Sequence, residues 1–358
     1  MRIKTLKLYN FRSFERFETS FLDGINILYG KNAIGKTTIL EAINYLSISK
    51  SFKTNDDLTV IKEHRNEMSV IGCLDKGKES TNLKITKTEN GKAVFKDSLK
   101  FSKISDYIGE LLVVVFSNND MIDLNGNSKN RRKIFEPIFC QISKDYVLMN
   151  NYYKKILNER NALLKRLIIE NKNTLNGLLE ILDSQLIECA KKIIFYRKQF
   201  TNMINDILPK YHSQISLEKE EARLVYKPSV DVDNIEQEFK KKLSLDMKKG
   251  TTNLGPHRDD YVFIINNKNI VDYGSQGQQR SYLISLKVSF VELLFNEKKE
   301  YPILLLDDVL SELDKERQNS LFSVIKDNVQ TILSTATLAE IDESILKNAN
   351  IITLEKEM

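Results

Sequence analysis

Residues Gly30-Lys31-Asn32-Ala33-Ile34-Gly35-Lys36-Thr37 satisfy the pattern G-x-x-x-x-G-K-[ST] in full. Glycines let a loop wrap a phosphate without Cβ clashes, and the N–H groups at a helix start face the anion. Lys36 is suited to the β- and γ-phosphates, and the Thr37 hydroxyl to Mg²⁺. Far downstream, Ile303-Leu304-Leu305-Leu306 runs into Asp307 and Asp308. A carboxylate at the C-terminal tip of a buried parallel strand faces the crevice where open α/β sheets bind ligands. Asp307 then holds the metal. Asp308 points another way and is the candidate general base. A second turn, Gly274-Ser275-Gln276-Gly277-Gln278-Gln279-Arg280, opens a helical run from Tyr282 to Leu294 and offers another anion site.

These residues need a strand before the loop, a helix after it, and a parallel sheet beneath both acids. Gly24 to Gly30 encloses a short apolar run, and Lys36 to Ser47 places Ile39, Leu40, Ile43 and Leu46 on one helical face. Ile3 to Tyr9, Met68 to Cys73 and Leu83 to Thr86 alternate as half-buried strands. Leu111 to Phe116 is a continuous apolar run suited to a strand buried on both faces. Asn328 to Thr335 reads as a strand ending in hydroxyls, and Lys315 to Ile325 as a helix.

The chain has 358 residues, 41% hydrophobic and 29% charged, with 13 Gly and 5 Pro. That supports a real core and argues against disordered and collagen-like classes. No run approaches the ~18 apolar residues of a membrane span, and the charged, alternating start is no signal peptide. Cys73, Cys140 and Cys189 are far apart with no C-x-x-C, which fits a reducing cytoplasm and no zinc site.

The middle is helical. Leu179, Leu182, Leu186, Cys189, Ile193, Tyr196, Phe200, Met203 and Ile207 step by three and four. Met149, Tyr153, Ile156, Leu163 and Leu167 form a looser seam, with Asn171-Lys172-Asn173 as the turn of an antiparallel hairpin. Residues 129–210 carry 16 basic against 8 acidic side chains, a net of +8 in a chain whose total is +5. Solvated lysines account for such an excess, as does a surface for nucleic-acid phosphates. Its densest point holds Arg131, Arg132 and Lys133.

The order of these motifs, with Ser311-Glu312-Leu313-Asp314 after the second acid, resembles an ABC-type ATPase head. Asn10-Phe11-Arg12, Ser51-Phe52-Lys53-Thr54, Glu159-Arg160-Asn161-Ala162, Gly255-Pro256-His257-Arg258-Asp259-Asp260 and Leu304 to Asp314 are similar to the RecF family of bacterial recombination mediators. The resemblance implies an ATP-dependent homodimer with two sandwiched nucleotides. In it, Gly30, Lys31, Asn32, Ala33, Ile34, Gly35, Lys36, Thr37 and Thr38 bind ATP in cis, with Arg12 near the phosphates. Ser275, Gln276 and Gly277 contact the γ-phosphate in trans, as the signature turn, and Asp314 couples the two sites. The expected partners are double-stranded DNA, single-strand/double-strand junctions, RecO and RecR. Slow, DNA-stimulated hydrolysis with Asp308 as base is expected.

The implied fold is α/β. An ATPase lobe of residues 1–125 and 250–358 carries a mixed sheet with an antiparallel part and a parallel core, and residues 126–249 form an inserted helical lobe. The switch position falls to Thr335 or Thr337, and Asn118 or Asn119 stands in for the Gln loop. A structural role suits His257 to Asp260. A transporter ATPase subunit shares the motif order but carries a smaller insert, and a P-loop kinase or transferase needs neither the Ser275 turn nor the Ser311 loop.

Overall fold

The computed structural model describes all residues except 55, 78–79, 170–176, 217–219, 326–327, 340 and 356–358. The proposed hairpin turn at Asn171-Lys172-Asn173 lies outside the described residues.

The chain forms two units. The first comprises residues 1–121, 207–221 and 275–358, and the second residues 122–206 and 222–274. The sequence-based boundary at 125 lies four residues past the observed one, and two further segments change sides. The end of the helix Gly177–Ile215 packs with the first unit, and residues 250–274 stay in the second, where their strand has its partner.

The first unit has two sheets where one mixed sheet was expected. Strands β1 (Arg2–Phe11), β2 (Phe14–Ser20), β4 (Glu67–Asp75), β5 (Ser80–Thr88), β6 (Gly91–Lys96) and β7 (Leu99–Lys100) form an antiparallel sheet in the order β2-β1-β4-β5-β6-β7. Strands β3 (Ile25–Tyr29), β8 (Val113–Ser117), β12 (Ile303–Asp307), β13 (Thr331–Thr335) and β14 (Ala349–Thr353) form a wholly parallel sheet, β14-β3-β13-β12-β8. Strand β12, flanked by β13 and β8, is buried along its length, as its Val/Ile/Leu-type run requires inside a parallel sheet.

One core joins the sheets. Ile3, Leu6 and Leu8 of β1 cluster with Leu28, Ile303, Leu305 and Ile332 of the parallel sheet and with the helix Lys36–Ile48. Twelve of that helix's thirteen residues are buried, the position of a helix sandwiched between layers. This clamps the start of the helix, and therefore the loop before it.

The second unit holds helices Ser128–Ile142, Lys144–Ile169 and Ile235–Lys249, with the Gly177–Ile215 helix up to residue 206. It also holds a small antiparallel sheet of β11 (Lys268–Asn269), β10 (Asp260–Ile265) and β9 (Ala222–Lys227). The expected seam is buried from Leu179 to Ile193. Beyond it Phe200 stays buried, while Arg197, Thr201, Ile204 and Leu208 take the inward places in preference to Tyr196, Met203 and Ile207. Arg197 takes the inward place because Asp259 and Tyr146 receive its guanidinium. On the preceding helix, Leu164 replaces Leu163 and Arg160 lies inward.

Candidate functional site: a phosphate cradle and a signature turn

The loop after β3 needs backbone shapes that side chains resist. Gly35 sits at φ 111°, and a Cβ there would lie 2.5 Å from the Phe14 ring. At Gly30 a Cβ would approach the Leu354 carbonyl oxygen to 2.8 Å. Ala33 adopts φ 66°, a left-handed conformation that costs about 1 kcal/mol in a non-glycine residue. Successive turns of this kind aim backbone N–H groups into a concavity that fits an anion.

Lys36 lies at the first turn of the helix. Its Nζ donates to the carbonyl oxygens of Gly30 (2.6 Å) and Lys31 (3.0 Å). Burial pulls its pKa below the usual lysine value, opposed by Asp308 and then Asp307. A cavity of about 270 Å³ is lined by Ser13, Asn32, Ala33, Gly35, Lys36, Thr37, Thr38, Lys53, Asp308 and Ser334.

Register in the parallel sheet pairs Asp307 with Ser334, so the two strands end at one level. The Ser334 hydroxyl donates to Asp307 Oδ1 at 2.8 Å, and the backbone N–H of Asp308 donates to Ser334 Oγ at 3.0 Å. Thr37 also hydrogen-bonds the Asp307 carboxylate. Burial raises the Asp307 pKa, with these two hydroxyls and Lys53 opposing. Asp308 is held at φ 57°, a sparsely populated backbone region at the mouth of the cavity. The Thr37 hydroxyl and Asp307 carboxylate are hard oxygen donors, and they fit Mg²⁺. Among the described residues no group of three or more His, Cys, Asp or Glu gathers as a metal cage. A cation here would take its remaining ligands from water and phosphate oxygens, the usual habit of Mg²⁺.

Several sequence expectations change. Arg12 does not line this cavity. Its guanidinium closes on the buried carboxylate of Glu41, with Nη2–Oε1 at 2.6 Å, and on the Thr59 carbonyl at 2.8 Å. The additional cation at the cavity is Lys53, 3.8 Å from Glu41. The Thr335 hydroxyl donates to the Thr337 carbonyl at 2.8 Å, and Thr337 Oγ1 accepts from the Ala339 N–H at 3.2 Å. Ser334, one residue earlier, is the hydroxyl that reaches the acids. A serine at the tip of the strand neighbouring β12 was the available signal. Asn118 and Asn119 are not among the cavity's lining residues. Their turn is closed by Asp120, which accepts from the Ser117 N–H and pairs with Lys287 at 2.6 Å.

The signature turn is a complete capping box. Ser275 Oγ accepts from the Gln278 N–H at 3.2 Å, and Gln278 Oε1 accepts from the Ser275 N–H at 2.9 Å. Asp314 caps the helix Lys315–Val324, accepting from the Arg317 N–H at 2.8 Å, and also pairs with the Arg317 guanidinium. Arg317 in turn reaches Ser281 Oγ at 3.1 Å, and its Nη2 lies 3.3 Å from where a Cβ on Gly277 would stand. Arg317 thus ties the Asp314 loop to the signature helix, Gln276–Lys298, a link that the motifs alone did not show.

The basic run of the second unit is placed otherwise than as an open phosphate surface. Arg131 makes a two-pronged pair with Asp260 at 2.8 and 2.7 Å. Arg132 donates to the carbonyl oxygens of Asp259 and His257, the latter at 2.6 Å. Lys133 is half exposed, 3.7 Å from Asp123. Arg131 and Arg132 therefore hold the His257 to Asp260 segment, the structural role expected of that segment.

The model of the RecF/RecN/SMC N-terminal domain matches residues 2–355. The DNA replication and repair protein RecF of Bacillus mycoides is 38% identical over a 362-residue alignment that covers 98% of this chain and 96% of the relative. The RecF of Bacillus thuringiensis (strain Al Hakam) matches to the same extent. Among solved structures, the recombination mediator RecF with ATPrS, in the RecFOR pathway, superposes with a TM-score of 0.86 at 30% identity, covering 95% of this chain and 94% of that one. The corresponding RecF–ATP structure gives 0.86 at 29%. An Smc head bound to the C-terminal winged-helix domain of ScpA, 13% identical with a TM-score of 0.55, shares the fold. With an ABC-type ATPase head, a matching family model and relatives similar from end to end, the chain belongs to the RecF family.

Proposed function

We propose that this protein is an ATP-switched, DNA-binding ATPase of recombinational repair. The observation that carries the reading is the convergence of Lys36, Thr37, Asp308 and Ser334 on one cavity from separate elements of the fold, with Asp307 hydrogen-bonded to both Thr37 and Ser334. Lys36 exchanges its two carbonyl partners for β- and γ-phosphate oxygens. Thr37 and Asp307 would hold Mg²⁺, which would supply positive charge beside the phosphate oxygens. Asp308 orients the attacking water and accepts its proton. The Asp308 carboxylate is one methylene shorter than a glutamate, which favours slow turnover.

The same reading makes the active species a homodimer. Each signature turn, Ser275 to Gly277, meets the nucleotide bound by the other protomer, and Asp314 with Arg317 links the sites. Double-stranded DNA and its junctions with single strands are the substrates of the clamp, with RecO and RecR as working partners. These parts rest on membership of the family and on the RecFOR pathway named for its solved relatives.

ATPase rate per protomer, measured across protein concentration with and without double-stranded DNA, tests the whole. The rate should rise with concentration and rise again with DNA. A flat, DNA-indifferent rate would replace the composite site with a self-contained one.

A further inference from the structure

The signature turn is held from behind by a buried acid that no motif includes. Glu220 Oε1 accepts from Gln278 Nε2 at 2.7 Å, and Glu220 Oε2 lies 2.9 Å from His212 Nε2. His212 is fully buried, with Nδ1 at 3.2 Å from Ser285 Oγ. Further along the signature helix, Tyr211 donates to Glu292 at 3.1 Å. All these residues lie within the first unit.

The donor count fixes the direction of each bond to Glu220. A carboxylate only accepts. His212 therefore donates through Nε2. The Ser285 hydroxyl beside its Nδ1 gives its one proton to the Ser281 carbonyl at 2.7 Å. Burial lowers the His212 pKa and so favours the neutral ring. Gln278 must turn its Nε2 toward Glu220, which leaves Oε1 for the Ser275 N–H. Ser275 Oγ then receives the Gln278 N–H, and the Gln279 N–H goes to the Ser275 carbonyl at 3.0 Å. The N–H groups of Gln276 and Gly277 precede the first intrahelical acceptor. The Ser275 hydroxyl, accepting at Oγ, still has its own proton to give. Three donors thus remain at the turn.

We propose that Glu220, braced by His212, is a positioning residue that presets this donor set for the terminal phosphate of a nucleoside triphosphate held by a second copy of the chain. The proposal rests on the sandwich reading above. A carboxylate is needed because an acceptor-only group removes the alternative orientation of the Gln278 amide.

The test is ATP-dependent dimerisation, followed by sedimentation against protein concentration with a non-hydrolysable ATP analogue. Nucleotide affinity of dilute monomer is measured alongside. Glu220→Ala should weaken dimerisation by about 25-fold, from about fivefold per turn used twice in a symmetric dimer. Monomer affinity should stay within about twofold, because the cis cradle is untouched. Gln278→Glu keeps a capping-box residue yet sets a carboxylate against Glu220, and should weaken dimerisation similarly. Adding Glu220→Gln to Gln278→Glu restores a donor opposite an acceptor and should rescue it, a result that loss of folding cannot mimic. Ser275→Arg is the control for the underlying reading. If it also dimerises with ATP, the sandwich itself fails. If it is blocked while the Glu220 and Gln278 variants dimerise at parental concentration, or if the double variant is not rescued, the positioning role is overturned.

Discussion

The first unit turns charged side chains toward a cavity, whereas the second closes its arginines on aspartates. Around the cradle, Lys36, Lys53 and Asp308 line one space, and Lys36 gives its protons only to carbonyl groups that a phosphate can displace. In the second unit, Arg160 is fully buried on Asp246 (2.8 Å) and Asp183, and Arg197 on Asp259 (2.9 Å). Charge in the first unit is available to a ligand. In the second the charge of these arginines is consumed in holding helices to one another and to a loop. A net charge of +8 over residues 129–210 thus overstates the field that this segment offers to a phosphate backbone.

The largest effect that separates the units is Lys36→Met. It should abolish ATP binding, read by titration calorimetry, and leave the unfolding midpoint almost in place; retained ATP affinity would remove the cradle from the mechanism. Arg197→Leu should do the reverse. It strands the buried Asp259 carboxylate, which costs about 4 kcal/mol of stability in urea unfolding. The folded fraction should bind ATP like the parent. A loss near zero would mean that these pairs are ornamental and that their charge is available after all.

The smallest effect is the pH dependence that His257 adds in the second unit. His257 donates from Nε2 to the Thr252 carbonyl at 3.0 Å and accepts at Nδ1 from the Tyr153 hydroxyl at 2.7 Å, an arrangement for the neutral ring. Burial, chiefly, takes its pKa down to about 4. The unfolded chain protonates near 6.5, so stability is whole above that value and declines as pH falls toward 4. The decline should be at most about 3 kcal/mol. Stability curves of His257→Gln should lack that slope between about pH 6.5 and 4; an identical slope would assign it to another group.

Much of the site was legible because its chemistry is local. The Gly30–Thr37 loop sits between a strand and a helix that the apolar pattern marks, and Asp307 ends a run that only a buried strand explains. What escaped depends on neighbours distant in sequence. Ser334 and Thr335 differ by one residue, and strand alternation decides which faces the acids. Arg12 is expected near the phosphates from its family position alone, and its pairing with Glu41 of the cradle helix carries no local sequence signal. The helical seam failed at Tyr196, Met203 and Ile207 because Arg197 found a carboxylate worth turning inward for. Two sheets were read as one because antiparallel and parallel strands alike show apolar faces, and the spacing does not say which pair.

The strand order β14-β3-β13-β12-β8 has a consequence for synthesis. Only β3 and β8 emerge in the first third of the chain, and they are not neighbours. The two strands between them, β12 and β13, follow roughly 200 residues later, which at about 5–20 residues per second is roughly 10–40 s on a ribosome. Through that interval two apolar strands and a helix that the fold buries on nearly every side wait without their sheet. A nascent chain of this kind invites chaperone contact near residues 25–48 and 113–117, and the cradle acquires its shape only when the last sixth of the polypeptide arrives.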